Sequence, residues 1–275
     1  GKPFVNEHFN SFVKTDDRPK NPYNLPESDE NDYTPYKITG HKRIAVFGDV
    51  HMPYHSLSAL NAAFDFTIKE KPDAVLFNGD LLDFYKLSRF DKEPKNRSFA
   101  EELLAFKHLF ERVQKIFGAK IYYKIGNHEE RYQHFLHMKA HELDGVEEFE
   151  LSNIIKARAE GIEVIDDKRI IQIGYLNVIH GHEFGGGFFS PVNIARGLYN
   201  RGKITALQAH NHQTSEHTEP DMLGNITTTW SIGCLCDLRP KYLPINKWNH
   251  GFAIVDVDGN EFFMRNKRIH KNKVF

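Results

Sequence analysis

Three short apolar runs, each followed by a glycine, organise the first half of the chain. Ile44-Ala45-Val46-Phe47 closes at Gly48, Ala74-Val75-Leu76-Phe77 runs to Gly79, and Ile121-Tyr122-Tyr123-Lys124-Ile125 closes at Gly126. Unbroken runs of this length fit strands buried on both faces. Between them the spacing turns helical. Leu57, Leu60, Phe64 and Ile68 recur within 56–69, and Leu103, Phe106, Leu109, Phe110 and Val113 follow the capping box Ser98-Phe99-Ala100-Glu101 towards Phe117 and a closing Gly118. Strand–helix alternation with short connections predicts an α/β layered fold.

Beyond Gly126 the pattern changes. Residues 130–160 read as helical, and the rest reads as strand-rich. Arg169–Ile173 and Leu176–Ile179 flank Gly174-Tyr175 as a hairpin. Ser190-Pro191 opens a helix, with serine as cap and proline in the first turn. Ile204–Gln208, Ile226–Ile232 and Phe252–Val257 are strand candidates, and Asp258-Gly259 turns the last of these into Glu261-Phe262-Phe263. Residues 1–37, rich in Pro, Asn, Asp and Glu, have little to bury and are expected to stay extended or mobile, leaving 38–275 as one domain.

Bulk composition excludes more than it assigns. With 36 basic against 37 acidic residues, the chain lacks the strongly basic surface of a dedicated nucleic-acid binder, although a local groove is compatible with the count. Two cysteines, Cys234 and Cys236, cannot form a disulfide framework, which favours a reducing, cytoplasmic setting. No apolar run approaches the ~20 residues of a membrane helix. The figure that changes the picture is 16 histidines, because their placement suggests metal chemistry.

That placement is ordered. The glycine-ended strands deliver Gly48-Asp49-Val50-His51, Gly79-Asp80 and Gly126-Asn127-His128-Glu129, and later strands deliver His180-Gly181-His182 and His210-Asn211-His212. Side chains placed just after strand C-termini converge on one crevice of an α/β sheet. Mixed carboxylate, amide and imidazole donors suit ions such as Mn, Fe or Zn rather than a thiolate cage. Two cations about 3.5–4 Å apart need a shared anionic bridge, for which Asp80 is the natural candidate. A hydroxide bridging them would attack phosphorus in line, with His128 as the acid that protonates the leaving alkoxide.

In motif, order and spacing, this series resembles the calcineurin-like metallophosphoesterases over residues 48–212. The resemblance implies a four-layer α/β/β/α sandwich with mixed sheets and a dimetal site at strand C-termini. It further implies that Asp49, His51, Asp80 and His212 hold one metal, that Asp80, Asn127, His180 and His210 hold the other, and that His128 is the acid touching phosphate. The cofactor expected is two divalent ions, manganese first, with iron, zinc, nickel or magnesium also suited to the donors. The departure is Ala209, where the family usually has glycine.

Other residues carry weaker signals. Asp83 is expected to orient a ligand or cap the next turn rather than bind metal, and His182 to line the pocket, support a ligand or mark a plain turn. Arg131 and Arg196 have the geometry to grip a distal phosphate, although exposed arginines are common. His134, His137 and His141 read as a partly solvated helix face, Gly185-Gly186-Gly187 as a flexible loop near the site, Cys234 and Cys236 as core-facing in a strand, and the basic run 267–273 as a solvated tail. The expected function is dimetal-dependent phosphodiesterase or phosphatase chemistry on a small or flexible phosphate ester. The alternatives are a nucleic-acid-processing nuclease or end-processing phosphoesterase, with a nucleotide or nucleic acid as substrate, and, further off, a non-catalytic protein-binding scaffold. The filled ligand positions argue against the scaffold.

Overall fold

In the computed structural model, which describes residues 22–26, 33–88, 98–156, 161–185 and 192–275, the three apolar runs become adjacent parallel strands. These are β2 (Arg43–Phe47), β3 (Ala74–Asn78) and β4 (Lys120–Lys124), with β5 (Ile162–Ile165) parallel outside β4. Alternation explains why the runs are apolar throughout. Ala45, Phe47, Val75, Phe77 and Tyr123 point to one core, while Ile44, Val46, Leu76 and Tyr122 point to another. On the first face lie α1 (Leu57–Glu70) and α2 (Phe99–Phe117), which contribute Leu60, Ala63, Leu103, Phe106 and Phe110. The Ser98–Glu101 capping box forms as expected at the start of α2.

On the second face lies another sheet. It is built from β1 (Tyr36–Lys37), β6 (Ile171–Ile173), β7 (Leu176–Val178), β8 (Ala206–Gln208), β9 (Ser215–Pro220) and β10 (Ile226–Ser231), in the order β1-β6-β7-β8-β10-β9. The first sheet continues past β2 through β11 (His250–Asp258), β12 (Glu261–His270) and β13 (Lys273–Val274), giving the order β13-β12-β11-β2-β3-β4-β5. Both sheets are mixed: β11 runs antiparallel to β2, and β10 is parallel to β8 but antiparallel to β9. Ile171, Ile173, Val178, Leu207 and Trp230 meet the inner face of the first sheet. Outside the second sheet, α5 (Ile194–Gly202) packs through Leu198, and Ala195 O accepts a bond from Thr229 Oγ1. Helix, sheet, sheet and helix form the four layers that the family resemblance implies.

The chain divides into two compact units, 1–33 and 34–275. Of the first, residues 22–26 and 33 are described, with a turn at Pro22-Tyr23. In the second, Tyr36–Lys37 pairs with β6, so the last residues of the expected N-terminal segment form an edge strand.

Several expectations need correction. Residues 130–160 are not one helix: α3 (Glu130–Lys139) and α4 (Leu151–Lys156) are separated by two short 3-10 turns. The helix expected at Ser190-Pro191 begins at Ile194, where the Asn193 side chain accepts from Arg196 N–H; Ser190, Pro191, Gly186 and Gly187 lie outside the described residues. The basic run 267–273 is no free tail, since it enters the β12–β13 hairpin with Ile269 buried. Cys234 and Cys236 lie past the end of β10 in isolated bridges, although both are buried as expected. No described helix is long and apolar enough to cross a membrane.

One buried acid in this frame has a pH consequence. Glu102 on α2 is fully buried and accepts from Phe84 N–H at 2.6 Å, and burial, with Asp83 nearby, pushes its carboxyl up to about 8. A carboxyl raised in the folded state contributes stability below its unfolded value near 4.5, and that stability fades as pH rises to about 8. Glu102→Gln is therefore expected to gain on wild type by a few kcal/mol more at pH 8 than at pH 5. Urea unfolding at the two pH values checks this, and an equal difference at both would contradict it.

Candidate metal centre

At the C-terminal ends of β2, β3, β4, β7 and β8 the chain turns sharply to present its side chains. Asp49, His51, Asp80, His210 and His212 all adopt left-handed backbone, with φ of 53°, 52°, 51°, 66° and 57°. Non-glycine residues pay roughly 1 kcal/mol or more each for this region, with Asp, Asn and His among the types that tolerate it best. The glycines beside them serve close approach. A Cβ on Gly126 would stand 2.3 Å from Asp80 Oδ1, and one on Gly79, itself at φ +82°, would stand 2.3 Å from His180 Nδ1. Ala209 lies outside the left-handed region, so its methyl group strains no turn.

Each central carboxylate has one oxygen tied down and one turned inward. Asp49 Oδ2 accepts from His210 N–H at 2.9 Å, and Asp80 Oδ1 accepts from His128 N–H at 2.9 Å. The inward oxygens meet imidazoles. Asp49 Oδ1 lies 3.2 Å from His212 Nε2 and 3.9 Å from His51 Nε2, and Asp80 Oδ2 lies 3.9 Å from His51 Nε2 and 3.3 Å from His180 Nε2. Asn127 Oδ1 is 3.2 Å from that same His180 nitrogen, and ligand-type atoms of Asp80, His180 and His210 lie within 4.8 Å of one another. Asp80 therefore belongs to both halves of the cluster.

The outer nitrogens are held by acceptors that fix how the rings face. His180 Nδ1 donates to Asn78 O at 2.7 Å, and His51 Nδ1 is 3.0 Å from Asp83 Oδ1. A backbone carbonyl only accepts, so the Nε2 of a neutral His180 keeps its lone pair for the interior. His128 Nδ1 lies 2.9 Å from Asp83 Oδ1 and 3.0 Å from Asp83 O, while its Nε2 is 2.9 Å from Arg131 Nη2 and 3.9 Å from Asp80 Oδ2.

The electrostatics ask for positive charge. Burial works against ionising Asp80, yet His180, His128 and His51 hold its carboxyl well below the usual range. Burial likewise disfavours the charged rings, but Asp80 lifts His180 to about 10 and Asp49 lifts His212 to about 9. Among the described residues, Asp49 Oδ1 and His210 Nδ1 are buried without a well-oriented hydrogen-bond partner. Orphaned donor atoms, inward lone pairs and a mixed oxygen–nitrogen set fit divalent cations of the manganese, iron or zinc type, which would displace protons from the rings on binding.

Three flanking groups hold this arrangement, and two of them, Lys124 and Glu183, carried little signal in the sequence. Glu129 accepts from Asp80 N–H, Leu82 N–H, Gly126 N–H and Tyr123 Oη, so it fastens the turn after β3 to the turn after β4. Glu183 accepts from His180 N–H at 2.8 Å and Gly181 N–H at 2.6 Å, and its carboxylate faces the fully buried Lys124 ammonium at 3.3 Å. Lys124 also donates to Arg169 O and Asp167 O. The only hint of this pair was a lysine inside an apolar strand run and an acid just after His182.

The remaining candidates divide. Asp83 and Arg131 lie beside His128. His182 faces the second half of the cluster, its ring 5.2 Å from that of His180, and its Nε2 lies 3.0 Å from Glu130 Oε1. Arg196 is exposed on α5 and is not among the gathered side chains. His137 reaches Gln133 and Asp144 on the exposed face of α3.

Comparison with known proteins gives three findings. The model of the calcineurin-like phosphoesterase family matches residues 42–231. Gene 54 protein of Mycobacterium phage L5 is 28% identical over 235 residues, covering 79% of this chain and 90% of that protein. Among solved structures, Vacuolar Protein Sorting 29 of Cryptosporidium parvum aligns with a TM-score of 0.46 at 12% identity, over 86% of this chain and 95% of its own. YfcE, a phosphoesterase from E. coli, aligns with a TM-score of 0.39 at 12% identity, over 78% and 89%.

The Lys124–Glu183 pair is testable without any metal. Lys124→Met strands a buried carboxylate and should cost about 3–5 kcal/mol in urea unfolding, whereas adding Glu183→Gln should recover most of the loss. A single variant as stable as wild type would show that the pair does not hold the His180 turn.

Proposed function

Since this chain belongs to the calcineurin-like phosphoesterase family, whose model spans residues 42–231, we propose that it hydrolyses phosphate esters at the cluster centred on Asp80. The observation that carries this reading is the inward oxygen of Asp80, which lies within 4 Å of imidazoles from both halves of the cluster. Asp49, His51, Asp80 and His212 would hold one divalent cation, and Asp80, Asn127, His180 and His210 would hold the second, with manganese the first choice. Bound there, the two ions supply Lewis-acid stabilisation of the phosphoryl oxygens and an acidified water.

The chain's own residues do the rest. Asp83 accepts from His128 Nδ1 and so aims Nε2 at the cluster, 3.9 Å from Asp80 Oδ2. Arg131, whose Nη2 stands 2.9 Å from that nitrogen, moves onto a phosphoryl oxygen when substrate enters, which frees Nε2 for proton transfer. With Arg131 withdrawn, Nε2 takes up a proton from water beside the Asp80 carboxylate and gives it to the departing ester oxygen. Glu129 and the Lys124–Glu183 pair keep the turns in register during the reaction. A purely structural scaffold would have no use for two buried carboxylates, whose mutual repulsion lowers stability unless cations offset it.

The test is hydrolysis of bis-p-nitrophenyl phosphate and p-nitrophenyl phosphate by metal-stripped protein reloaded with Mn, Ni, Zn or Mg. Turnover should require metal, vanish in Asp80→Asn and fall by roughly 10²–10⁴-fold in His128→Ala. The better ester separates diesterase from monoesterase activity. Two bound ions per chain with no turnover of either ester would overturn the reading.

A further inference from the structure

A cavity of about 340 Å³ opens directly off the metal cluster, and His51, Asp83 and His212 form part of its wall. The rest of the lining is of a different kind. It includes Tyr54, Tyr85, Tyr242 and Trp248, together with Asp237, Arg239 and Lys241. Nothing in the hydrolytic reading needs four aromatic side chains there.

Most of this lining comes from residues 232–249, the long connection between β10 and β11, which contains no helix or strand. Connections of more than roughly 12–15 residues without secondary structure are uncommon and usually functional. This one is fixed in shape by its own bonds. Asn246 Nδ2 donates to Leu238 O and Leu243 O, and Trp248 N–H donates to Asn246 Oδ1. Two further bonds tie it to the cluster turns: Asp237 N–H to Tyr54 O at 2.8 Å, and Asn249 N–H to His212 O at 2.9 Å. The Trp248 ring also packs edge-on against the His212 ring, with centroids 4.2 Å apart. A planar group resting on the aromatic wall would therefore have its ester within reach of the metal ligands.

We infer that this cavity receives the base of a nucleoside phosphate ester, stacked among Tyr54, Tyr85, Tyr242 and Trp248. The proposal rests on the phosphoesterase reading for the ester that is cleaved, and adds the class of group attached to it. Aromatic platforms bind bases regardless of sequence, because every base offers a π-face. Arg239 adds the second requirement. The scissile phosphate belongs to the metal cluster, so a guanidinium in the lining of the same cavity suits another phosphate, as in a nucleotide chain. An aryl phosphate such as phosphotyrosine has only one phosphate and brings no second anion to that guanidinium.

The experiment compares metal-reloaded protein on two esters with the same leaving group, thymidine 5′-p-nitrophenyl phosphate and methyl p-nitrophenyl phosphate. The nucleoside ester should be preferred by roughly tenfold or more in kcat/KM, mainly through KM, and the ratio should fall towards one in Tyr242→Ala. A 5′-phosphorylated oligonucleotide competing better than thymidine 5′-phosphate, with the difference lost in Arg239→Ala, identifies a nucleic-acid end. Equal competition identifies a free nucleotide. A ratio near one in wild type, a ratio untouched by Tyr242→Ala, or stronger competition by a phosphotyrosine peptide overturns the proposal. If neither ester turns over, the hydrolytic reading fails, and calorimetric binding of thymidine 5′-phosphate decides the cavity separately. Binding lost in Tyr242→Ala upholds the stacking site, and no binding to wild type rejects it.

Discussion

Two carboxylates that cannot comfortably share a buried site are the constraint on which the rest of this molecule depends. Ligand-type atoms of Asp49, His51 and Asp80 lie within 4.8 Å of one another, and both acids are shut off from solvent. Two like charges at such a distance repel by about 4 kcal/mol even at an effective dielectric of 20. The fold meets that repulsion with positive partners from every side: imidazoles from the turns after β2, β7 and β8, and His128 after β4. Backbone N–H groups of His128 and His210 take up the outer oxygens. The same deficit of positive charge that binds protons to the rings would attract divalent ions.

Holding such a cluster requires that its turns be fixed to one another, since each belongs to a different strand. Glu129 does this between β3 and β4 with four accepted hydrogen bonds, and Glu183 does it after β7 while drawing in Lys124 from β4. These acids sit behind the ligands and are themselves buried and paired. The site is thus two concentric arrangements of charge, with the outer one made rigid so that the inner one stays open to a cation.

Much of this was legible in the chain. Glycine-ended apolar runs gave the parallel strands because residues buried on both faces must be apolar at every position. The ligand motifs could be found because each falls where a strand stops and a turn must begin. What stayed hidden depended on contacts across long separations. Lys124 looks misplaced in an apolar strand until Glu183 arrives from the turn after β7. The basic run 267–273 looks like a tail until Val274 folds back onto Ile269. Asn193, rather than Ser190, caps α5 because its carbonyl oxygen reaches Arg196 N–H. The aromatic wall of the cavity has no periodicity at all, since it gathers residues from three separate stretches of chain.

The left-handed backbone at Asp49, His51, Asp80, His210 and His212 bears on how this protein can evolve. Glycine takes up that conformation without strain, so at these positions the fold and the chemistry favour different residues. Selection for thermostability alone would act first on Asp49 and Asp80, because replacing either relieves both a strained turn and a crowded charge. Loss of these two carboxylates is thus the easy route to a sturdier version of this fold.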